Sequence, residues 1–414
     1  MKKFAAAALA ALLALALAGC VVEGGTTPNP TNPSVTQTEE AEITPTPKPA
    51  PPTVDPSLTY SFGYEEMAQP IWQSSTMYNE CITFQENEEG NITAKLLFKP
   101  IQVISVRDNS LGIELKEGVH FKFDENDPQT LIWLEGDENF VIPYFKKGDL
   151  TSPHKDNCGT SGMNGIIGTA MYCVGEWLYS KQLAITYTYD PSENKIPHAE
   201  FAGSLLPKTL EKLKNGQTVK MSIYGDSIFT GCESSATYNR EPNVPTFFDL
   251  LNRLEALYPG CTVELSNHSV GGWQAKNGVE NVQKVVDEKP DIVILGFGMN
   301  DAHVGGVVEA QSITAMMDAI SAGNPDCEYI VVSTFHANNT IGWDLMQKTH
   351  GTAFKKLEKT GVAAMDMYKL HSYLLARKYY QDTTGNNINH PNDWLARMYT
   401  MQLLTMLYDF NAAA

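Results

Sequence analysis

The pattern of hydrophobic and polar positions divides the chain into a part made of strands and a part in which strands and helices alternate. Between residues 58 and 207, short segments alternate apolar and polar residues, and clusters of Gly, Asn and Asp separate them. Such alternation at regular intervals is typical of antiparallel sheets. The segments read ECITFQ, KLLFKPIQVISV, GIELKEG, HFKFDE, TLIWLEG, FVIPYF and LAITYTY. This part therefore predicts an all-β, jelly-roll-like sandwich over residues 58–210.

The pattern changes after a short amphipathic segment, 206–216, which predicts a helix closing on Asn215-Gly216. From residue 217 onward, apolar runs that end in polar turns alternate with segments of helical spacing. This alternation predicts an α/β domain, residues 211–414, with a parallel sheet covered on both faces. The predicted strands are 219–225, 262–267, 291–297, 329–333 and 362–365. The predicted helices are 245–258, 279–286, 313–320, one ending near 360, and a last one after Trp394.

Three tryptophans of the β part, Trp72, Trp133 and Trp177, allow two interpretations. Aromatic rings at a surface stack against sugars, and these three side chains are candidates for such a face. Large rings more often pack in a core or between domains. Both interpretations stay open from the sequence alone.

The first 57 residues predict export and tethering rather than a folded unit. Residues 1–19 combine two lysines with a continuous apolar run, as a secretory signal does. The ending Leu-Ala-Gly-Cys resembles a bacterial lipobox, so Cys20 is the predicted lipid-bearing residue of a lipoprotein on the extracytoplasmic face of the cell membrane. A plain signal peptide is the rival interpretation, and a permanent transmembrane helix is the weaker one. Residues 20–57, rich in Pro and Thr, predict an extended linker.

The net charge argues against nucleic acid as a partner, and the cysteine spacing argues against a zinc knuckle. The formal net charge is −18, whereas binding to nucleic acid phosphates needs clustered Lys and Arg. The six cysteines beyond Cys20 contain no Cys-x-x-Cys pair, which argues against a zinc knuckle. Disulfides, with Cys158 and Cys173 as the nearest pair, and small buried thiols are equally open interpretations.

Polar turns follow three of the predicted strands, and a fourth polar loop precedes the last helix. The turns contain Ser227 in Gly-Asp-Ser, Gly272 in Val-Gly-Gly-Trp, Asn300 in Gly-Met-Asn-Asp and His390 in Asn-His-Pro. Parallel neighbouring strands place their carboxyl ends at one edge, where ligand sites form. A hydroxyl, an imidazole and neutral N–H donors are the groups that acyl transfer needs. No metal or organic cofactor is implied.

The four blocks together resemble the SGNH (GDSL-type) hydrolase family, over about residue 217 to the C-terminus. The resemblance implies a flavodoxin-like three-layer domain and an acyl-ester hydrolase. Ser227 would be the nucleophile and His390 the base. The N–H groups of Ser227 and Gly272 and the amide of Asn300 would hold the oxyanion. Asp226 and Asp301 are expected to be structural, and His268 and His303 more often would be ordinary loop histidines than substrate contacts.

One position departs from the family pattern. The family usually has an aspartate three residues before the histidine, where this chain has Asn387. Three explanations follow: Asp382 or Asp393 folds back to the ring, a backbone carbonyl orients it, or activity is reduced. Some carbohydrate esterases of this kind work with a Ser–His dyad and a carbonyl, which favours the second explanation.

The order of the two parts resembles that of bacterial carbohydrate esterases and sets the functional expectation. We expect removal of acetyl or other short acyl groups from carbohydrate. A lipase or lysophospholipase of the same fold is one alternative. A surface glycan-binding lipoprotein with an inactive hydrolase domain is the other.

Overall fold

The computed structural model describes residues 67, 69–136, 138–144, 158–161, 170–173, 176–234 and 253–412. The predicted signal sequence, Cys20 and the linker lie outside these residues, and so do 245–252 of one predicted helix. In the described part of the chain, no helix combines the length and the apolar character needed to span a membrane.

The β part consists largely of one sheet built around its first strand. Its strands and one helix are β1 (Thr76–Glu86), β2 (Ile92–Lys95), β3 (Pro100–Asp108), β4 (Phe121–Phe123), β5 (Thr130–Trp133), β6 (Val141–Ile142), β7 (Cys158–Ser161), β8 (Ala170–Cys173), α1 (Glu176–Lys181) and β9 (Gln182–Tyr189). The order is β3-β9-β1-β2-β5-β4, with β6 beside β1, and β7 and β8 form a separate two-stranded sheet. The antiparallel region is confirmed, whereas the sandwich stays a prediction.

One predicted strand, GIELKEG, is wrong. Residues 112–118 contribute only isolated bridges, at Glu114 and Glu117. The carboxylate of Asp108 accepts the backbone N–H groups of Ser110 (3.2 Å) and Ile113 (2.7 Å). A side chain that takes backbone donors in this way competes with the ladder and stabilises a turn instead.

The second part contains the predicted parallel sheet. Its strands are β10 (Thr218–Gly225), β11 (Thr262–Asn267), β12 (Ile292–Gly296), β13 (Glu328–Ser333) and β14 (Val362–Asp366). All neighbours pair in parallel, in the order β11-β10-β12-β13-β14. Every residue of β12 is buried, which explains why its sequence is a continuous apolar run. The α/β prediction is confirmed.

Helices connect these strands. They are α2 (Pro207–Lys214), α3 (Leu254–Leu257), α4 (Ala275–Glu280), α5 (Gln283–Glu288), α6 (Gly306–Gly323), α7 (His350–Lys355), α8 (Met367–Leu375) and α9 (Asp393–Leu407). Helix α8 was not predicted. It begins directly after β14, where the side chain of Asp366 accepts the N–H of Lys369 and caps the first turn.

Helix α9 joins the two parts of the chain. All of its residues are buried, and apolar side chains of the β part, of α9 and of one face of the parallel sheet form a single core cluster. Arg397 on α9 donates to the carbonyl of Tyr78 on β1 at 2.6 Å. The predicted boundary near residue 210 stays a prediction, but the hydrophobic core continues across it.

Cysteines and tryptophans favour the structural interpretations. Cys81, Cys261 and Cys327 are buried free thiols, whereas Cys232 is disulfide-bonded. Cys158 and Cys173 are register partners in the β7–β8 hairpin. The ring of Trp133 packs edge-on against Phe84, with centroids 4.9 Å apart, and Trp72 stacks on His198.

Candidate active site

Ser227 lies just beyond the carboxyl end of β10, in a turn that only small residues permit. A Cβ added at Gly225 would lie 2.4 Å from the carbonyl oxygen of Gly296, and one at Gly296 would overlap the ring of Phe229. The carboxylate of Asp226 accepts the N–H of Ile228 at 3.0 Å, which confirms its expected role in the turn. The glycines therefore bring β10 and β12 together and set the position of the serine.

His390 reaches this serine from a loop between residues 383 and 392. Its Nε2 lies 2.9 Å from Ser227 Oγ across 163 residues of sequence. The loop is held by Asn338, which donates to the carbonyl of Asn387 (2.8 Å), and by Tyr380, whose hydroxyl donates to that of Ile388 (2.8 Å). Ser227 is 3% exposed and His390 1%. The pair has the distance required for proton transfer from a hydroxyl to an imidazole.

Burial shifts the pKa values of several groups around this pair. Desolvation lowers the pKa of His390 to about 4 and raises those of Asp226 and Asp301 to about 7 and about 6. Glu309 is also buried, and desolvation followed by the charges of Asp301 and Asp226 raises its pKa to about 9. Burial therefore favours the protonated forms of these carboxyl groups, because it penalises their charged forms.

The predicted oxyanion groups occupy the same sheet edge. Gly272 has a φ of 77°, a conformation that suits glycine. In the described part of the chain, neither its N–H nor that of Ser227 donates to an acceptor. Asn300 directs its amide to the carbonyl of Trp273 at 3.0 Å. The loops are linked across the edge by the N–H of Val270, which donates to the carbonyl of Gly225.

The other side of the His390 ring differs from every sequence expectation. Its Nδ1 lies 3.1 Å from the amide nitrogen of Asn386. Among the described residues, no aspartate or backbone carbonyl forms a hydrogen bond with this nitrogen. Asp382 accepts the hydroxyl of Thr83 at 2.6 Å and lies 3.5 Å from Lys378. The sequence contained a signal for Asn386 only in the run Asn-Asn-Ile-Asn-His, in which any of three amides was a candidate.

His268 and His303 were the other histidines near the predicted site, and metal binding was the other chemistry to consider. His268 pairs with Glu288 at 2.9 Å, in line with an ordinary loop histidine, and His303 is exposed. Among the described residues, no three His, Cys, Asp or Glu side chains are grouped so that they could hold a metal ion.

Comparisons with known proteins agree with this geometry. Residues 223–395 match the model of the GDSL-like Lipase/Acylhydrolase family, and the match includes Ser227, Gly272, Asn300 and His390. No curated protein matches the chain.

Several solved structures resemble part of the chain at low sequence identity. One is a two-domain esterase active on acetylated mannans (18% identity, TM-score 0.41). The match covers 50% of this chain and 53% of the esterase chain. The match to a mutant of an acetyl-xylooligosaccharide esterase from a Geobacillus species (17% identity, TM-score 0.38) covers 48% of this chain and 98% of that one. A Clostridium thermocellum family 3 carbohydrate esterase (15%, 0.36) covers 47% and 98%. The matched part of this chain spans about half the length of the first of these structures.

The residues that bring Ser227 and His390 together are thus contained in one recognisable domain. Residues 223–395 of the chain belong to the GDSL-like lipase/acylhydrolase family.

Proposed function

We propose that this protein is a serine ester hydrolase in which Ser227 attacks the acyl carbon and His390 takes its proton. The observation that carries the proposal is the 2.9 Å contact between Ser227 Oγ and His390 Nε2. It is supported by the buried position of the pair at the carboxyl edge of the parallel sheet, where the family match also lies. The N–H groups of Ser227 and Gly272 and the amide of Asn300 would stabilise the oxyanion.

We propose an acetylated or otherwise short-acylated carbohydrate as the substrate. This rests on the β part ahead of the hydrolase domain and on the polar residues of the loops at the sheet edge. Export and lipid attachment through Cys20 belong to the same proposal, because a tethered enzyme on the extracytoplasmic face would meet polymeric glycans.

We infer in addition that the hydrolase domain is a flavodoxin-like three-layer fold. Taken in chain order, its strands lie 2-1-3-4-5 across the sheet, which is the flavodoxin-like order. Two separate core clusters, one on each face of the sheet, support three layers. A jelly-roll-like sandwich for the β part is the corresponding proposal for residues 58–210.

The proposed activity is tested by hydrolysis of a short acetyl ester by the full-length protein, beside Ser227→Ala. We expect the variant to keep no more than a residual rate, since subtilisin loses about 10⁶-fold in kcat on loss of its nucleophilic serine. Equal rates for the two proteins would exclude the enzyme and leave the glycan-binding alternative.

The substrate class is tested with two matched donors. We expect acetate release from an acetylated oligosaccharide and little hydrolysis of a long-chain acyl ester. The reverse order of rates would favour the lipase or lysophospholipase alternative.

A further inference from the structure

The Nδ1 side of His390 carries information about its protonation. Asn386 and His390 are 2% and 1% exposed, and the amide nitrogen of Asn386 lies 3.1 Å from Nδ1. In the described part of the chain, this is the only hydrogen-bond contact of that ring nitrogen. Whether Nδ1 donates or accepts here decides what Nε2 presents to the serine.

The orientation of the Asn386 amide is determined by the backbone around it. Its Oδ1 accepts three N–H groups, from Ile388 at 2.9 Å, Asn389 at 3.0 Å and His390 at 3.2 Å. A backbone N–H donates and never accepts, so the oxygen must occupy this position. The NH₂ group of Asn386 is therefore the part that faces the imidazole.

The direction of the next hydrogen bond follows from the first. An amide NH₂ has only donors, so Nδ1 must accept and carries no proton. A neutral imidazole has one N–H, which consequently lies on Nε2, 2.9 Å from Ser227 Oγ. In this tautomer Nε2 points a proton at the serine rather than the lone pair that a general base needs.

We propose that Asn386 is a positioning residue that holds His390 in the Nε2–H tautomer and so withholds the base from Ser227. The inference rests on the proposed ester hydrolase function for its effect on rate, but not for the tautomer itself. Hydrolysis by the native protein then has to proceed from the minor tautomer, in which Nδ1–H faces the amide of Asn386.

Two neighbouring candidates, Asn387 and Asp382, form hydrogen bonds with other groups. The side-chain oxygen of Asn387, at the position where the family has aspartate, accepts from Asn338 at 3.1 Å. Asp382 accepts the N–H of Tyr379 and the hydroxyl of Thr83. These hydrogen bonds of both side chains are therefore made to groups other than the ring.

The surroundings of Asn386 can accommodate an aspartate. In Asn386→Asp, one carboxylate oxygen keeps the three backbone N–H groups and the other accepts Nδ1–H. In the native protein the side-chain oxygen of Asn389 accepts from the Asn386 amide at 3.1 Å. In the variant this oxygen would face a negatively charged carboxylate oxygen. The amide nitrogen of Asn389 is buried without a hydrogen-bond partner in the described residues, so rotation of the Asn389 amide would turn a donor toward the new carboxylate.

The test measures the tautomer directly in the full-length protein labelled with ¹⁵N-histidine. The imidazole ¹⁵N resonances of His390, identified by their loss in His390→Gln, are compared in the native protein, Asn386→Asp and Asn387→Asp. The last variant is the matched control, because it adds the same charge one residue away. We expect Nε2–H in the native protein and the control, and Nδ1–H in Asn386→Asp. A native resonance with the proton on Nδ1 would overturn the proposal without any variant.

Kinetics of the same proteins separate this inference from the proposed function. Replacing the aspartate of a serine protease triad with asparagine lowers kcat about 10⁴-fold. We therefore expect Asn386→Asp to raise kcat for an acetyl ester at least about 10-fold, with KM little changed and no gain in Asn387→Asp. An unchanged kcat with a switched tautomer would overturn the effect on rate. If Ser227→Ala hydrolysed the ester as fast as the native protein, Asn386→Asp and Asn387→Asp, the proposed function would fail. The tautomer assignment would still stand, because the ¹⁵N resonances measure it independently.

Discussion

Glu80 on β1 and Lys378 form an ion pair at 2.5 Å with both side chains fully buried, 298 residues apart in the sequence. Lys378 also lies 3.5 Å from Asp382 and donates to the carbonyl of Lys95 at 2.7 Å. The pair therefore ties the central strand of the β part to the segment that leads into the His390 loop.

Removing the cation of this cluster should destabilise the protein strongly. In Lys378→Met, Glu80 and Asp382 remain buried without their counter-ion. Breaking a buried pair in this way typically costs about 3–5 kcal/mol, and we expect this loss in the free energy of unfolding by urea denaturation. The matched control is Lys355→Met, which removes an exposed partner of Glu358 and should cost less than about 1 kcal/mol. Equal losses in the two variants would contradict the role of burial.

The close approach of β10 and β12 at Gly225 predicts that a larger residue there lowers both stability and activity. Gly225→Ala places a Cβ 2.4 Å from the carbonyl oxygen of Gly296, so the backbone must shift directly before Ser227. We expect a loss of about 1–3 kcal/mol in unfolding free energy, as for other overpacked cores, together with a fall in kcat. The control is Gly305→Ala, where a Cβ meets only the end of the Met346 side chain at 3.3 Å. A native rate in Gly225→Ala would show that the turn tolerates the shift.

The oxyanion role of Asn300 predicts a defect in kcat. Its amide donates to the carbonyl of Trp273 in the absence of substrate, and the NH₂ group has a second hydrogen for an oxyanion. Removal of one such donor costs about 10²–10³-fold in kcat in subtilisin, and we expect a loss of that order in Asn300→Ala with little change in KM. Asn281→Ala, which removes an exposed amide bonded to Asn277, serves as control. A change in KM alone would assign Asn300 to substrate binding.

The buried histidine determines the expected pH profile. Burial lowers the pKa of His390 to about 4, and catalysis needs the neutral ring. The value of kcat/KM should therefore rise with pH through about 4 and stay level above it. In Asn386→Asp the carboxylate would stabilise the imidazolium, so the midpoint should move to higher pH, whereas Asn387→Asp should move it less. A native midpoint near the ordinary value of 6.5 would contradict the effect of burial.

The same shift has a consequence for stability. Between pH 4 and 6.5 the unfolded chain binds a proton at His390 that the folded protein excludes. The contribution of this neutral ring to the unfolding free energy is therefore complete above pH 6.5 and is lost as the pH falls toward 4. Replacing His390 with Gln should remove this part of the pH dependence. Parallel stability curves for the two proteins would contradict it.

Much of the hydrolase domain was predictable from the sequence. Buried parallel strands need continuous apolar runs, and the run at β12 marked its position within a residue at each end. Because parallel strands end at one edge, the same pattern also brought Ser227, Gly272 and Asn300 to a common side of the sheet. The missed helix α8 and the wrong strand at 112–118 both lie where a single Asp side chain, Asp366 or Asp108, captures backbone N–H groups.

What stands behind His390 was decided by the tertiary structure alone. The sequence identified the serine, the histidine and an unusual Asn387 between several amides and carboxylates. It could not show that Asn387 has a φ of 61° or that Asn338 donates a hydrogen bond to its side chain. Nor could it show that Asp382 accepts a hydrogen bond from Thr83 and pairs with Lys378. The contacts of Asn338 with Asn387 and of Thr83 with Asp382 join residues 49 and 299 positions apart. Short-range composition names the candidates in a loop, but the backbone conformation and distant partners select which side chain reaches the ring.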